Sequence, residues 1–362
     1  MSLHLSEVLD QFLPDYQQSQ TMSWQQQAVC KHIMQCRTAA LGQQLWQCDS
    51  CHQQQVVYCS CRDRHCPRCQ GQRTRDWLQA QSANLVQAKY FHLVFTLPHE
   101  LNVLSQYAPE KLYKSLFNAV WQTLSTFAQR HRKVAGELGM TAILHTWGQT
   151  LSQHIHLHCL IPGGMLNKAE RWQLISKGYL FPVKALSTVF RAKMLQQLRS
   201  EQLSIPNADA LMAKPWTVFS KACLCKPQTV LSYLGRYTRK GVLHESRLQH
   251  IDTDNVSFRY RDYKDGNKHK VMILKGTEFI RRYLSHVLPK GFMRIRHYGI
   301  LANRCRKQKL AIIRKQEVAA NPEEKQTTSE QETPCWHCPH CRTGLLHLVS
   351  VLAQDLHRKP DS

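Results

Sequence analysis

Acidic side chains are scarce in this 362-residue chain, where 25 Asp and Glu stand against 48 Lys and Arg for a formal charge of +23. Such a balance favours a polyanionic partner through counterion release and electrostatic steering, with nucleic acid ahead of a membrane surface. Long apolar runs are missing as well. No stretch approaches the roughly 18 residues that a membrane helix needs, and the first 20 residues hold Asp10 and Asp15 but no Lys or Arg, unlike a secretory signal. These absences point to a cytoplasmic, nucleoid-associated protein with no membrane partner. No GxxxxGK[ST] loop occurs, so nothing in the sequence speaks for nucleotide hydrolysis, and no internal repeat is seen.

Cysteine, by contrast, is abundant. The fifteen cysteines cluster within a long chain that reads as intracellular, a usage that suits metal binding better than a disulfide framework. Residues 1–75, rich in Gln, Cys and His, read as a small metal-stapled module that recognises DNA. Within it Cys48-x2-Cys51 is followed, after 14 residues, by Cys66-x2-Cys69. Two such knuckles can wrap four thiolates around Zn²⁺ at about 2.3 Å in a closed structural site. Cys30, His32, Cys36, Cys59, Cys61 and His65 lie close enough in sequence to exchange with these four or to hold a second ion. Arg62, Arg64, Arg68, Arg73 and Arg75 surround the knuckle and suit contact with DNA. A second group, Cys335-x2-Cys338-x2-Cys341 with His337 and His340 interleaved, follows an acidic linker over 317–334. It fits a knuckle completed by His347 or His357, half of a site shared with another chain, or an end without structure. Residues 316–362 thus form a linker and a Cys/His tail.

Between these ends, residues 76–315 alternate strand-like runs at 91–97, 141–147 and 155–161 with helix-like runs near 111–133, 187–199 and 229–236. Three short runs at 247–251, 256–260 and 269–274, separated by turn residues, predict an antiparallel meander. The fold class expected is α/β or α+β. At the start of the third run and just before it, His154, His156 and His158 recur at period two, so all three imidazoles share one face of a strand, neighbours roughly 6.6 Å apart, and can converge on a cation. Tyr233 and Tyr237 stand at i and i+4 of a helix-like segment and share a face. A phenol near pKa 10 is a poor nucleophile at neutral pH and needs a cation or a base beside it. Arg236, Arg239 and Lys240 beside the pair suit phosphate. Arg294, Arg296, Arg304, Arg306, Lys307, Lys309, Arg314 and Lys315 form a basic run without an acid, interleaved with Tyr298 and preceded by Phe292, which suits a strand-binding groove.

Taken together, FHLVFTLPHEL at 91–101, LHTWGQTL at 144–151, the HIHLH block, IPGG at 161–164, YLGRYTRK at 233–240 and LPKGFMRIRHYGILANRCRK at 288–307 resemble the IS91 family of rolling-circle insertion-sequence transposases. These are HUH-class enzymes with two tyrosines and an N-terminal zinc-binding module, and the resemblance runs from about Cys48 to about Lys309. It implies an HUH-endonuclease-like core on a central antiparallel sheet. It also implies His156 and His158 as ligands of a catalytic Mg²⁺ or Mn²⁺, and Tyr233 and Tyr237 as nucleophiles. The third ligand varies in the class, and His154, Gln149, His145 and His244 are all candidates. The implied partners are single-stranded element ends and the host helicase and replication machinery. Rival readings are a rolling-circle replication initiator or relaxase, and a non-catalytic zinc-dependent DNA-binding regulator.

Overall fold

The computed structural model describes residues 3–131, 134–175, 180–222, 229–230, 235, 241–263, 265–320 and 336–352, without the side chains of 72, 73 and 318–320. The chain opens with two helices, α1 (Leu5–Ser19) and α2 (Trp24–Gln35), a hairpin of β1 (Gln43–Cys48) and β2 (Gln54–Tyr58), and α3 (Gln70–Ser82). The central part follows with β3 (Tyr90–Thr96), α4 (Leu104–Tyr107), α5 (Pro109–Gln129), β4 (Gly139–Trp147), β5 (Gln153–Pro162), the short pair β6 (Gly164–Leu166) and β7 (Trp172–Leu174), α6 (Val183–Ser200), α7 (Ala208–Ala213) and β8 (Val218–Ala222). Then come the meander β9 (Leu248–Ile251), β10 (Asn255–Asp262) and β11 (Lys268–Lys275), α8 (Gly276–Leu284), β12 (Ile295–Gly299), α9 (Arg306–Ala320) and β13 (Leu346–Leu352).

A five-stranded sheet of order β12-β4-β5-β3-β8 is the centre of the molecule, and all its pairings are antiparallel. Its two faces differ because side chains alternate along each strand. Phe91, Leu93 and Phe95 of β3, Ala142 and Leu144 of β4, and Ile155, Leu157 and Cys159 of β5 point into the main core. There they meet α5 and α6, whose buried residues recur at helical spacing: Leu112, Leu116, Val120 and Leu124 on one, Leu186, Phe190, Met194 and Leu198 on the other. Each fully buried Leu or Phe of this set contributes roughly 2 kcal/mol of apolar burial. The opposite face carries Tyr90, His92, Ile143, His145, His156, His158 and Leu160, covered in part by Leu310 and Ile313 of α9 and by Val230.

The predicted strands at 91–97, 141–147 and 155–161 and the helices near 111–133 and 187–199 fall on observed ones, most of the run at 229–236 lies outside the described residues, and the fold is α+β with a central antiparallel sheet. The meander forms as expected, but its core is shared. Phe258, Phe279 and Leu284 pack with Leu5, Leu9 and Phe12 of α1 and with Cys66 and Cys69. A Cβ on Gly276 would meet the Phe12 ring at 2.1 Å, so only glycine lets α8 start this close to α1. The module expected over 1–75 thus shares one core with residues from 242–284. Among the described residues, no helix is long and apolar enough to cross a membrane.

Candidate metal centres and nucleic-acid interface

The histidine block lies on β5, one of the inner strands. Register places His145 of β4 opposite His156, and the structure groups His145, His156 and His158, with ligand nitrogens within 4.8 Å of one another. His156 and His158 are each 9 % exposed. His156 donates from Nδ1 to its neighbour His154's carbonyl oxygen at 2.7 Å, which leaves the lone pair on Nε2. That atom stands 3.1 Å from His158 Nε2, close to the roughly 3.0 Å between adjacent ligands of an octahedral ion with 2.1 Å bonds. The donor set therefore fits a divalent cation.

Of the candidate third ligands, only His145 joins the group. His154 shares the face but sits exposed at the strand's end, its ring 4.8 Å from that of His156. Gln149 is turned to Tyr263 and Arg261, and His244 bonds to Ser246. Among the four candidates it is thus His145, through the β4–β5 register, that lies beside His156 and His158, while His154 stays apart at the strand's end.

His92 escaped the sequence reading. Its Nε2 lies 2.9 Å from His158 Nδ1, so it orients that ring from behind and directs Nε2 toward the group. Burial holds His92 at about 4, so it is neutral at physiological pH. The only signal was a lone His in an apolar strand, with a parity that becomes meaningful once the β3–β5 register is known.

The four cysteines expected at one zinc ion divide between two groups. Cys66 and Cys69 meet Cys36 and Cys61, with Sγ–Sγ distances of 3.5 Å and 3.6 Å from Cys69 to Cys36 and Cys61. Cys48 and Cys51 meet Cys338 and Cys341. The reason is strand pairing, since β13 lies antiparallel on β1 with Cys48 opposite Leu346 and carries the tail cysteines to the far end of the hairpin. The tail is thus completed within the chain. His347 faces Asp49 rather than a thiolate, and Cys335 and His357 lie outside the described residues.

His32 and His65 serve the first group without joining it. Asp63 accepts from His65 at the backbone N and at Nδ1, and from His32 Nδ1. Burial alone would raise the Asp63 carboxyl, but these bonds hold it well below the usual carboxylate range. His65 Nε2 in turn accepts from the backbone of Leu288 at 3.2 Å, while Arg64 donates to the carbonyls of Pro289 and Phe292. Arg68 is tied to the Cys36 carbonyl. Arg64 and Arg68, which by sequence suit DNA contact, also brace the fold here, Arg64 against 288–292 and Arg68 against Cys36.

The braced loop, 288–292, forms one wall of an open cleft of about 1160 Å³. Arg64, Arg294, Arg296, Arg306 and Lys290 line it, with Glu110 the single acid among the described lining residues, together with Trp77, Trp147 and Tyr298. Arg294 lies over the Trp147 ring, and Trp147 stacks at 4.6 Å on His145, so the cleft leads to the histidine group. Arg304 is exposed at the turn before α9, outside the cleft lining. Phe292 is buried, and Arg296 sits 4.9 Å from its ring and 4.4 Å from Phe117.

Tyr233, Tyr237, Arg236, Arg239 and Lys240 lie outside the described residues. Two of their neighbours are placed. Val230 is buried with Ile143 and Leu160 on the histidine face, and Gly235 is helical, its Cβ position 3.0 Å from Leu78 of α3.

Comparison with known proteins gives two family matches. Residues 8–97 match the transposase zinc-binding domain of IS91-type proteins, and residues 139–309 match the family described as "Putative transposase". A curated relative from Sinorhizobium fredii, named "Putative transposase y4qJ", is 38 % identical over 92 % of this chain and 91 % of its own length. The transposase for insertion sequence element IS801 of Pseudomonas savastanoi pv. phaseolicola is 27 % identical over 75 % of this chain and 69 % of its own. Among solved structures, a metal-bound conjugative relaxase TrwC in complex with oriT DNA covers 56 % of this chain and 69 % of that chain at 14 % identity and a TM-score of 0.27. In another complex of the same relaxase, the match spans 44 % of that chain, under half its length, with a TM-score of 0.26.

Proposed function

The chain belongs to the IS91 family of transposases, and from that premise we propose that it cuts and rejoins single-stranded DNA at element ends through 5′-phosphotyrosine intermediates, in a rolling-circle mode. One observation carries the reading: His145, His156 and His158 converge on the sheet face against which Val230 packs, three residues before the first tyrosine of the YxxxY pair. We assign Tyr233 and Tyr237 as the nucleophiles. The three imidazoles would hold Mg²⁺ or Mn²⁺, which when bound supplies Lewis-acid polarisation of a non-bridging phosphate oxygen.

The chain's own residues do the rest. The basic cleft binds the strand's phosphates, and Trp77, Trp147 and Tyr298 offer faces on which unpaired bases stack. His92 fixes the ring of His158. Arg236, Arg239 and Lys240 adjoin the phenols in sequence and favour the tyrosinate. The tyrosine oxygen bonds to phosphorus as the P–O3′ bond breaks, and the departing oxygen takes up a proton to become a 3′-hydroxyl. The 5′ end stays on the protein. Because the phosphotyrosine keeps the energy of the phosphodiester, a second 3′-hydroxyl reverses the step without nucleotide hydrolysis, in line with the missing GxxxxGK[ST] loop. Two nucleophiles let one tyrosine hold an end while the other opens a second strand, with host helicase and replication machinery unwinding and copying the DNA.

The test is a labelled single strand carrying an element end, incubated with protein and Mn²⁺. A covalent, protease-sensitive adduct on the 5′ side is expected, and it should vanish in Tyr233→Phe/Tyr237→Phe. His158→Ala should lose cleavage while binding the strand within about threefold of wild type. An adduct of unchanged yield in the tyrosine double variant would falsify the assignment of the nucleophiles.

A further inference from the structure

The second cysteine quartet reaches beyond the family matches: Cys48 and Cys51 fall within the zinc-binding match over 8–97, but Cys338 and Cys341 lie past residue 309, where the other match ends. We propose that Cys48, Cys51, Cys338 and Cys341 bind a second structural Zn²⁺ that clasps the C-terminal ribbon onto the N-terminal hairpin.

Geometry supports a closed tetrahedral site. Cys48 and Cys341 stand 3.7 Å apart at sulfur, as do Cys51 and Cys338. Four ligands at 2.3 Å around a tetrahedral ion lie about 3.8 Å from one another, whereas a disulfide needs about 2.05 Å. Both halves are CxxC knuckles, and both bend backbone N–H groups toward sulfur. Cys48 Sγ accepts from Ser50 and Cys51, at 3.4 Å and 3.5 Å, and Cys341 Sγ accepts from Gly344 at 3.3 Å. Backbone N–H groups placed in this way suit sulfur ligands of a metal. Gly344 passes so near the site that a Cβ there would meet Cys48 Sγ at 2.5 Å.

The surroundings show why a metal is needed. The sheet β13-β1-β2 has almost no core of its own: β2 is exposed throughout, and Leu348, Val349, Val351 and Leu352 of β13 are exposed too. Its non-metal ties are the strand ladder, the Asp49 carboxylate accepting from Leu345 N and facing His347, the Asp49 N–H donating to the Leu345 carbonyl, and the Trp46–Trp336 ring pair at 4.7 Å. A three-stranded ribbon closed across 293 residues of chain must offset a large loop entropy with very little apolar burial. Four thiolates on one zinc supply that free energy directly.

Zinc content of the full-length chain, measured by native mass spectrometry and elemental analysis after purification in reductant, should be two ions. Cys338→Ser/Cys341→Ser should carry one. In hydrogen exchange, strands 43–48 and 346–352 of that variant should exchange about tenfold faster or more, with the central sheet unchanged. Limited chelation of the wild-type chain should give the same ribbon signature together with release of one ion, a readout that does not depend on how the variant folds. A wild-type stoichiometry of one zinc, two ions retained in the double variant, or ribbon exchange that ignores zinc removal would each overturn the proposal.

Discussion

The two cysteine quartets are alike in chemistry and opposite in setting. Cys36, Cys61, Cys66 and Cys69 sit largely inside the shared core of α1, α2 and α8, and their loop braces the cleft through Arg64 and His65. Cys48, Cys51, Cys338 and Cys341 stand at the end of an exposed ribbon that touches solvent on both faces. The ligand set fixes which ion fits, while the packing around it fixes what loss of that ion does. In the first case zinc is part of the body; in the second it is a fastener.

Removing one thiolate from each quartet should have very different effects. Cys66 is fully buried, so Cys66→Ser should cost several kcal/mol and reduce single-strand affinity by tenfold or more as the 288–292 wall loosens, read by thermal unfolding and fluorescence anisotropy. Cys338→Ser should move the main unfolding transition by no more than about 3 °C. Equal damage from the two variants would mean that the ribbon is as integral as the core. A smaller step is Gly344→Ala, where the added methyl collides with Cys48 Sγ. It should weaken the ribbon by about 1–3 kcal/mol while leaving the main transition in place, seen as faster exchange confined to 43–48 and 346–352.

DNA binding sharpens the contrast further. Arg294→Ala should lower the slope of log affinity against log salt by about one, through loss of one phosphate contact, whereas Cys338→Ser/Cys341→Ser should leave the slope unchanged. The smallest effect concerns acid. Burial lowers His286 to about 4, and its ring takes a hydrogen bond from Thr146 and gives one to the Leu151 carbonyl, securing the β4–β5 turn where Leu151 has φ +59°. A histidine lowered on folding contributes stability that is full above pH 6.5 and is lost as pH falls toward 4, because the unfolded chain then binds the proton that the folded one rejects. The body should therefore lose about 1–3 kcal/mol across that window, and His286→Gln should flatten the slope of unfolding midpoint against pH.

Much of this arrangement was legible because it is local. Alternation exposed the histidine face, and the helical spacing of Leu112, Leu116, Val120 and Leu124 exposed α5. What failed to show depends on partners distant in sequence. His145 becomes a ligand candidate only through the register that sets it across from His156, and His92 only through the pairing of β3 with β5. The CxxC-x14-CxxC pattern suggested one zinc because proximity along the chain was the sole guide, whereas β13 on β1 divides it. Of the YLGRYTRK segment only Gly235 is among the described residues, so the chemistry read there rests on the sequence.

The spacing of the ligands also sets a schedule. The first quartet spans 33 residues from Cys36 to Cys69, so its ligands are all synthesised within seconds of one another. Cys51 waits for Cys338 through 287 further residues, roughly 15–60 s at 5–20 residues per second on a ribosome. During that interval the Cys48 and Cys51 thiols have no partners from the tail, open to oxidation or to a passing metal. Closure of the ribbon therefore has to await translation past Cys341.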